Sequence, residues 1–168
     1  MRELAVLSDA ELRRLLGSGE LSIEPFKETS LTPNGYDLTV AEVMLPAAGL
    51  HICEGRLQVP PGAWFLVGTL ERIKLGRRLA GQLWIRSSWA RRGIIGSFGK
   101  VDAGFEGTLT LSALNASPGN VEVPVGATFA QIVFEELSSE AEGSYSERSG
   151  HFQAQDAIRL EGRLHGQP

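Results

Sequence analysis

The sequence predicts a mainly β protein, a sandwich or barrel of short strands with one short helix near its start. Glycine and proline, with 20 and 8 of the 168 residues, are more frequent than in an average domain, which favours turns and short strands over long helices. Apolar residues also come in short runs separated by Gly and Pro clusters. A chain of 168 residues suits one compact domain, which we place at residues 1–168.

The helix is predicted from a capping box at residues 8–11, Ser-Asp-Ala-Glu, in which the first and last side chains exchange hydrogen bonds with each other's amides. Leucines at positions 12, 15 and 16 then repeat at helical spacing, and glycines at 17 and 19 supply the stop. We therefore expect a helical N-terminal segment within residues 1–30.

After this helix the pattern changes to that of strands, with runs at 64–67, 82–85, 108–113 and 132–134. The run at 108–113 alternates cleanly, which predicts one apolar face and one polar face. The apolar face holds Leu109, Leu111 and Ala113, and the polar face holds Thr108, Thr110 and Ser112. Residues 138–150 are rich in Gly, Ser and Glu, so residues 138–168 are predicted to form a mobile C-terminal arm.

Composition and charge exclude several classes of function. The net charge of −4 argues against sequence-independent binding to duplex nucleic acid, which needs a broad basic surface. The one cysteine, Cys53, excludes an internal disulfide and the zinc-dependent nucleobase deaminases, whose signature needs a P-C-x-x-C pair. The three histidines lack metal-ligand spacing and are interpreted as surface or loop residues. No run approaches the roughly 20 apolar residues of a membrane span and no signal peptide is visible, so we expect a cytoplasmic protein without nucleic-acid or membrane partners.

Two segments carry groups suited to ligand binding, the first to a polyphosphate and the second to a flat or apolar surface. Residues 86–93, R-S-S-W-A-R-R-G, offer hydroxyl and guanidinium groups that match phosphate oxygens, although such a stretch is equally a solvated basic loop. Residues 101–107, V-D-A-G-F-E-G, place Asp102 before a glycine turn that carries Phe105. This is either a plain hairpin turn or a carboxylate that takes a proton from water beside a ligand-packing ring. Residues 34–38 and 126–131 are turns with polar residues and decide nothing alone.

Together and in this order, these segments resemble the dCTP deaminase and dUTPase superfamily, homotrimers of distorted β-barrels that act on deoxyribonucleoside triphosphates. The resemblance covers nearly the whole chain. It is carried by N-G-Y-D-L at 34–38, R-S-S-x-A-R at 86–91, the hairpin at 102–107 and G-x-x-x-A-Q at 126–131. The N-terminal segment and the tail at 150–155 are similar to the deaminases rather than to plain dUTPases.

The resemblance implies a distorted β-barrel or jelly roll of the dUTPase-like type, a homotrimer and a set of site residues. Asp102 is the implied catalytic residue. The implied nucleoside-binding residues are Val101, Phe105, Gly107 and Ser112, and the implied phosphate-binding residues are Arg86, Ser87, Ser88, Arg91, Gln131 and Gln155. Magnesium would be bound mainly through the substrate triphosphate, so no side chain is predicted as a metal ligand.

One departure bears on the reaction. Deaminases of this superfamily carry a glutamate ten residues after the hairpin aspartate, where this chain has Ser112, and commonly a lysine where it has His151. A hydroxyl is a poor base, and general acid–base catalysis contributes roughly two to four powers of ten. We therefore expect hydrolysis of dUTP to dUMP and diphosphate, with Asp102 deprotonating the attacking water. Two alternatives stay open: zinc-independent deamination of dCTP to dUTP and ammonia, and a catalytically silent nucleotide-binding trimer.

Overall fold

The structure, a computed structural model, describes residues 5–162. The predicted helix is α1 (Asp9–Ser18), and the Ser8 hydroxyl accepts a hydrogen bond from the Glu11 amide at 3.4 Å. Gly19 ends the helix with a left-handed φ of 78°, while the glycine at position 17 lies inside the last turn. Between residues 5 and 162 no helix combines the length and the apolar character needed to cross a bilayer.

Short strands account for most of the regular secondary structure in the described residues, which confirms the predicted mainly β class. The strands in the first half are β1 (Leu21–Glu24), β2 (Leu31–Thr32), β3 (Gly35–Leu45), β4 (Leu50–Ile52), β5 (Arg56–Val59), β6 (Trp64–Thr69) and β7 (Arg72–Leu75). The second half holds β8 (Leu79–Ile85), β9 (Ile94–Ser97), β10 (Lys100–Val101), β11 (Glu106–Gly107), β12 (Thr110–Asn115), β13 (Val121–Pro124) and β14 (Thr128–Glu136). Two one-turn helices, α2 (Ser87–Ala90) and α3 (Tyr145–Arg148), lie between and after them.

The sheets are antiparallel and curl around β3. The largest has the order β10-β8-β14-β3-β6-β12-β9, with β2 and β4 also paired to β3. The smaller sheets are β1-β7-β11 and β13-β5. The first part of β3 pairs with β14 and the second part with β6, with a register shift between Val40 and Glu42. Because such a bulge bends its strand, β3 curls the sheet into a half-barrel, which agrees with the predicted distorted β-barrel.

The polar and apolar faces of β12 are as predicted, but the strand begins two residues later. Leu109, Leu111 and Ala113 are buried, whereas the alternate positions are partly exposed. Strand pairing starts at Thr110 because the Thr108 amide donates to the Gln155 carbonyl and the Leu109 amide donates to the Thr69 hydroxyl. The polar face of β12 is therefore open to a cavity rather than covered by core.

A fully buried carboxyl lies next to the bend in β3. Glu71 has no exposed surface, and its Oε2 accepts a hydrogen bond from the Thr39 amide at 2.8 Å. Its Oε1 has no hydrogen-bond partner within residues 5–162. Burial, which disfavours the charged form, raises the pKa of Glu71 above its usual range despite the bond from Thr39.

We predict that Glu71→Gln stabilises the protein increasingly as pH rises. Because the folded-state pKa is raised, the native carboxyl lowers stability above the unfolded-state pKa, and the loss is complete once pH passes the folded-state pKa. Gln keeps the acceptor for Thr39 without the charge. Urea unfolding from about pH 4 to about pH 8 should show the gain in unfolding free energy growing with pH. The exposed Glu142→Gln is the matched control, and a gain that is independent of pH would contradict the prediction.

Candidate functional site

A cavity of about 460 Å³ lies between the glycine hairpin, β12 and the C-terminal arm. Its volume suits a ligand of nucleotide size. The hairpin and β12 supply Lys100, Val101, Asp102, Phe105, Thr108, Leu109, Thr110 and Ser112. The remaining lining comes from Trp64, Leu66, Leu83 and Gly99 and, on the arm, from Tyr145, Phe152, Gln155, Arg159 and Leu160.

Asp102 lies at the edge of the cavity, directly after β10. Pairing of Val101 with Gly81 of β8 holds this end of the hairpin, and the Phe105 amide closes the turn onto the Asp102 carbonyl at 3.1 Å. The carboxylate is 42% exposed, and its Oδ1 lies 2.8 Å from Lys100 Nζ. Among the described residues that line the cavity, Asp102 is the one with a carboxylate. It is therefore the group available there to take a proton from water at neutral pH.

Phe105 and Gly107 have different surroundings in the hairpin. Phe105 is buried in the cavity wall, with its ring edge-on to Tyr145 at a centroid distance of 5.5 Å. Gly107, which the resemblance assigns to nucleoside binding, instead lies against the arm. A Cβ at this position would be 2.9 Å from the Gln155 amide nitrogen. Gly107 thus allows the arm to approach the hairpin and does not itself line the cavity.

Ser112 faces the cavity as the alternation predicts, but its hydroxyl is already engaged. The Trp64 indole Nε1 donates to Ser112 Oγ at 2.7 Å from the neighbouring strand β6. The nearby carboxylate of Glu106 points elsewhere, with an oxygen 2.9 Å from the Arg72 guanidinium on β7. Apart from Asp102, none of the described residues that line the cavity with Ser112 carries a carboxylate.

The arm packs on the hairpin over its described part, up to residue 162. The Ala154 amide donates to the Glu106 carbonyl at 2.7 Å, beside the bond from Thr108 to the arm. Gln155 is buried, and its Nε2 donates to Thr110 Oγ1 at 2.6 Å. Gln155, predicted as a phosphate ligand, is therefore part of the wall of this cavity.

The other predicted phosphate ligands lie in or around a second cluster. Asp37 joins it from β3, with an oxygen 3.2 Å from an Arg86 nitrogen, and accepts from Gln131 Nε2 at 3.1 Å. Arg86 also donates to Thr128 Oγ1. Asp37 and Gln131 are in contact because they are opposite each other in the pairing of β3 with β14. Arg86, Ser87, Ser88, Arg91 and Gln131 are absent from the lining of the cavity in their own chain.

Sequence reasoning missed several cavity residues. Trp64 and Tyr145 were not selected as site residues, and Phe152 was noted only as part of the tail motif. Two sequence features could have pointed to them. Trp64 is an aromatic residue at the start of a strand, and Tyr145 and Phe152 are aromatic residues in an otherwise polar arm. Asp37 was noted only within its motif, and its role as the counter-ion of Arg86 depends on the pairing of β3 with β14.

Comparison with known proteins relates this sequence to the dCTP deaminases. Residues 47–137 match the family described as dCTP deaminase-like. The chain is 41% identical over 160 residues to a dCTP deaminase of Thermococcus kodakarensis, covering 94% of this chain and 98% of the relative. It is 44% identical over 142 residues to a dCTP deaminase of Pyrococcus furiosus, covering 83% and 88%.

Solved structures share the fold at lower identity. The 2'-deoxycytidine 5'-triphosphate deaminase from Agrobacterium tumefaciens superposes with a TM-score of 0.67 at 19% identity, covering 80% of this chain and 49% of the other. The EIAV dUTPase superposes with a TM-score of 0.50 at 19% identity, covering 88% and 99%. The half-barrel with its short N-terminal helix is thus the dUTPase-like fold.

Proposed function

The chain belongs to the dCTP deaminase family, and on that basis we propose that it acts on a pyrimidine deoxyribonucleoside triphosphate bound in the cavity beside Asp102. The reaction proposed first is deamination of dCTP to dUTP and ammonia. The name shared by the curated relatives supports it and reverses the order expected from the sequence, in which dUTP hydrolysis came first.

The observation that carries the proposal is the position of Asp102. Asp102 is the one carboxylate among the described residues that line the cavity. Its hairpin is held by pairing with β8 and is packed against the arm. In deamination, water adds to the carbon that bears the amino group. Asp102 takes a proton from this water and delivers it to the adjacent ring nitrogen. It then takes the proton of the added hydroxyl, as the carbonyl forms, and delivers it to the amine, so that one water is consumed and one ammonia is released.

Hydrolysis of dUTP to dUMP and diphosphate is the second candidate. It is favoured by Ser112, which stands at the position of the deaminase glutamate and is already bonded to Trp64 at 2.7 Å. In this reaction Asp102 deprotonates the water that attacks the α-phosphorus. Such a transfer depends mainly on alignment and charge neutralisation.

The Asp37–Arg86–Gln131 cluster fits a phosphate site shared between copies of the chain. Arg86 carries the charge and fork geometry that suit phosphate, yet lies outside the lining of its own chain's cavity. In a homotrimer, this cluster of one chain would lie at the cavity of a neighbouring chain. The phosphate-binding residues and Asp102 would then form one site. Because the described residues place one carboxylate at the cavity, Mg²⁺ fits as an ion held mainly by the substrate's phosphates, where it would neutralise their charge.

Product analysis with dCTP, dUTP and dTTP tests the proposal. We expect ammonia and dUTP from dCTP. Diphosphate from dUTP without ammonia from dCTP would replace the first candidate with the second. Tight binding with neither product would overturn both and support a silent nucleotide-binding protein.

The variant Ser112→Glu also distinguishes dCTP deamination from dUTP hydrolysis. A carboxylate restored at this position should raise ammonia release from dCTP, by up to roughly two powers of ten if the missing base limits the rate. Ser112→Gln has a similar size and no basic carboxylate, so it is the matched control. If neither the wild type nor Ser112→Glu releases ammonia, the cavity is not arranged for deamination. A rate in Ser112→Glu equal to that of an active wild type would show that the missing glutamate does not limit the reaction.

A further inference from the structure

Three side chains of different metal-ligand type meet on the hairpin formed by β3 and β4, outside the lining of the nucleotide cavity. The ligand atoms of Glu42, His51 and Cys53 all lie within 4.8 Å of one another. We propose that these residues form a binding site for a zinc-class divalent cation. The proposal is independent of the nucleotide reaction.

Strand register explains why Glu42 and His51 share one face. Met44 pairs with His51, Glu42 lies two residues before Met44 on β3, and Cys53 follows the end of β4 in a bend. Residues two apart on a strand point to the same side. Glu42 and His51 therefore project from the same side of the hairpin, and the bend brings the Cys53 thiol within 4.8 Å of both, even though the sequence spacing resembles no metal motif.

Glu42 is held ready on this face. Its neighbour on β6 is Gly68, and a Cβ at that position would lie 2.6 Å from Glu42 Cγ. The Glu42 side chain can therefore pack over β6 only because residue 68 is a glycine. The Ile158 amide donates to Glu42 Oε1 at 2.6 Å. The other oxygen, Oε2, lies 2.5 Å from His51 Nε2. Outer contacts of this kind orient a ligand, and their removal commonly weakens metal binding roughly 10–100-fold.

The donor set selects the ion. A thiolate with an imidazole and a carboxylate suits Zn²⁺, whereas Mg²⁺ and Ca²⁺ prefer oxygen ligands. Zinc bonds of about 2.0–2.3 Å in a tetrahedron place ligand atoms roughly 3.2–3.8 Å apart. The ligand atoms lie within 4.8 Å of one another, so binding requires the exposed His51 and Cys53 side chains to rotate into this spacing. Binding would release the Cys53 thiol proton to solvent and leave the fourth position to water.

Cobalt substitution tests the site in the full-length, reduced and chelator-treated protein. We expect one Co²⁺ per chain with a thiolate-to-cobalt charge-transfer band, displaced by Zn²⁺. Cys53→Ser should abolish the band, and His51→Ala should weaken binding at least about tenfold. His151→Ala, which changes a histidine outside the cluster, is the matched control and should bind like the wild type.

Alkylation of Cys53 gives a readout that needs no variant. Zn²⁺ should slow the reaction of this exposed thiol with iodoacetamide, and Mg²⁺ should not. A cobalt spectrum without the charge-transfer band, equal affinity in Cys53→Ser, or alkylation that zinc leaves unchanged would overturn the proposal.

Discussion

Replacing Asp102 with asparagine is expected to lower turnover by about two to four powers of ten while the protein stays folded. Asparagine keeps the size and the turn-forming character of this position but cannot accept the proton from water. The effect should be the same for either proposed reaction, since Asp102 is the carboxylate among the described cavity residues. Steady-state assays of ammonia and diphosphate, together with nucleotide binding, would separate a loss of chemistry from a loss of affinity.

Glu106→Gln is the matched control for that experiment. It makes the same change from carboxylate to amide in the same hairpin, but its side chain faces Arg72 and Lys74 on β7 rather than the cavity. Its turnover should stay close to that of the wild type. Product formation that survives in Asp102→Asn, or that falls equally in Glu106→Gln, would remove Asp102 from the mechanism.

Phe129→Ala should cause a large loss of stability, about 3–5 kcal/mol in the free energy of unfolding. Phe129 of β14 has no exposed surface. Its ring lies 6.1 Å from that of Phe65 and 5.3 Å from that of Trp89, which anchors the R-S-S turn. Its carbonyl also accepts from the Arg86 amide. The truncation would leave a void at the point where β14 supports this turn.

Urea unfolding measures that loss, with Phe152→Ala as the control. Phe152 is 37% exposed, so the same truncation removes less buried surface and should have a smaller effect on stability. Phe129→Leu refills most of the void and should recover part of the loss. An unfolding midpoint in Phe129→Ala equal to that of the wild type would show that packing of Phe129 in the aromatic cluster does not contribute to stability.

The features that sequence reasoning predicted well are local ones. The bond from the Glu11 amide to the Ser8 hydroxyl and the glycine stop depend on groups a few residues apart, and both are present in α1. The second bond of the predicted capping box does not form among the described residues, and Glu11 Oε1 accepts from Arg14 instead. The alternation along β12 likewise needs only the twofold period of a strand. Of strand β3, the sequence indicated only the entry, as a turn at residues 34–38 that leads into a strand, although β3 is the longest strand in residues 5–162. Its burial is nearly continuous because it is covered on both faces, so it carries no alternating signal.

The candidate site was predicted in its parts but not in its arrangement. Motif order identified the family and the residues Asp102, Phe105 and Arg86. It did not reveal that Arg86 pairs with Asp37 away from the cavity, or that Trp64 occupies the hydroxyl of Ser112. Those contacts join residues separated by 49 and 48 positions in the chain. They depend on which strands become neighbours.

The sequence by itself determined the mainly β class, the capped helix, the face of β12 that carries Ser112, and the presence of one carboxylate at the head of the glycine hairpin. Each follows from spacing within one segment. Only the tertiary structure decided that the arm walls the cavity, that the phosphate-type residues form a separate cluster, and that Glu42, His51 and Cys53 meet. These features arise from strand register and packing between distant segments, and no local pattern encodes which segments will meet.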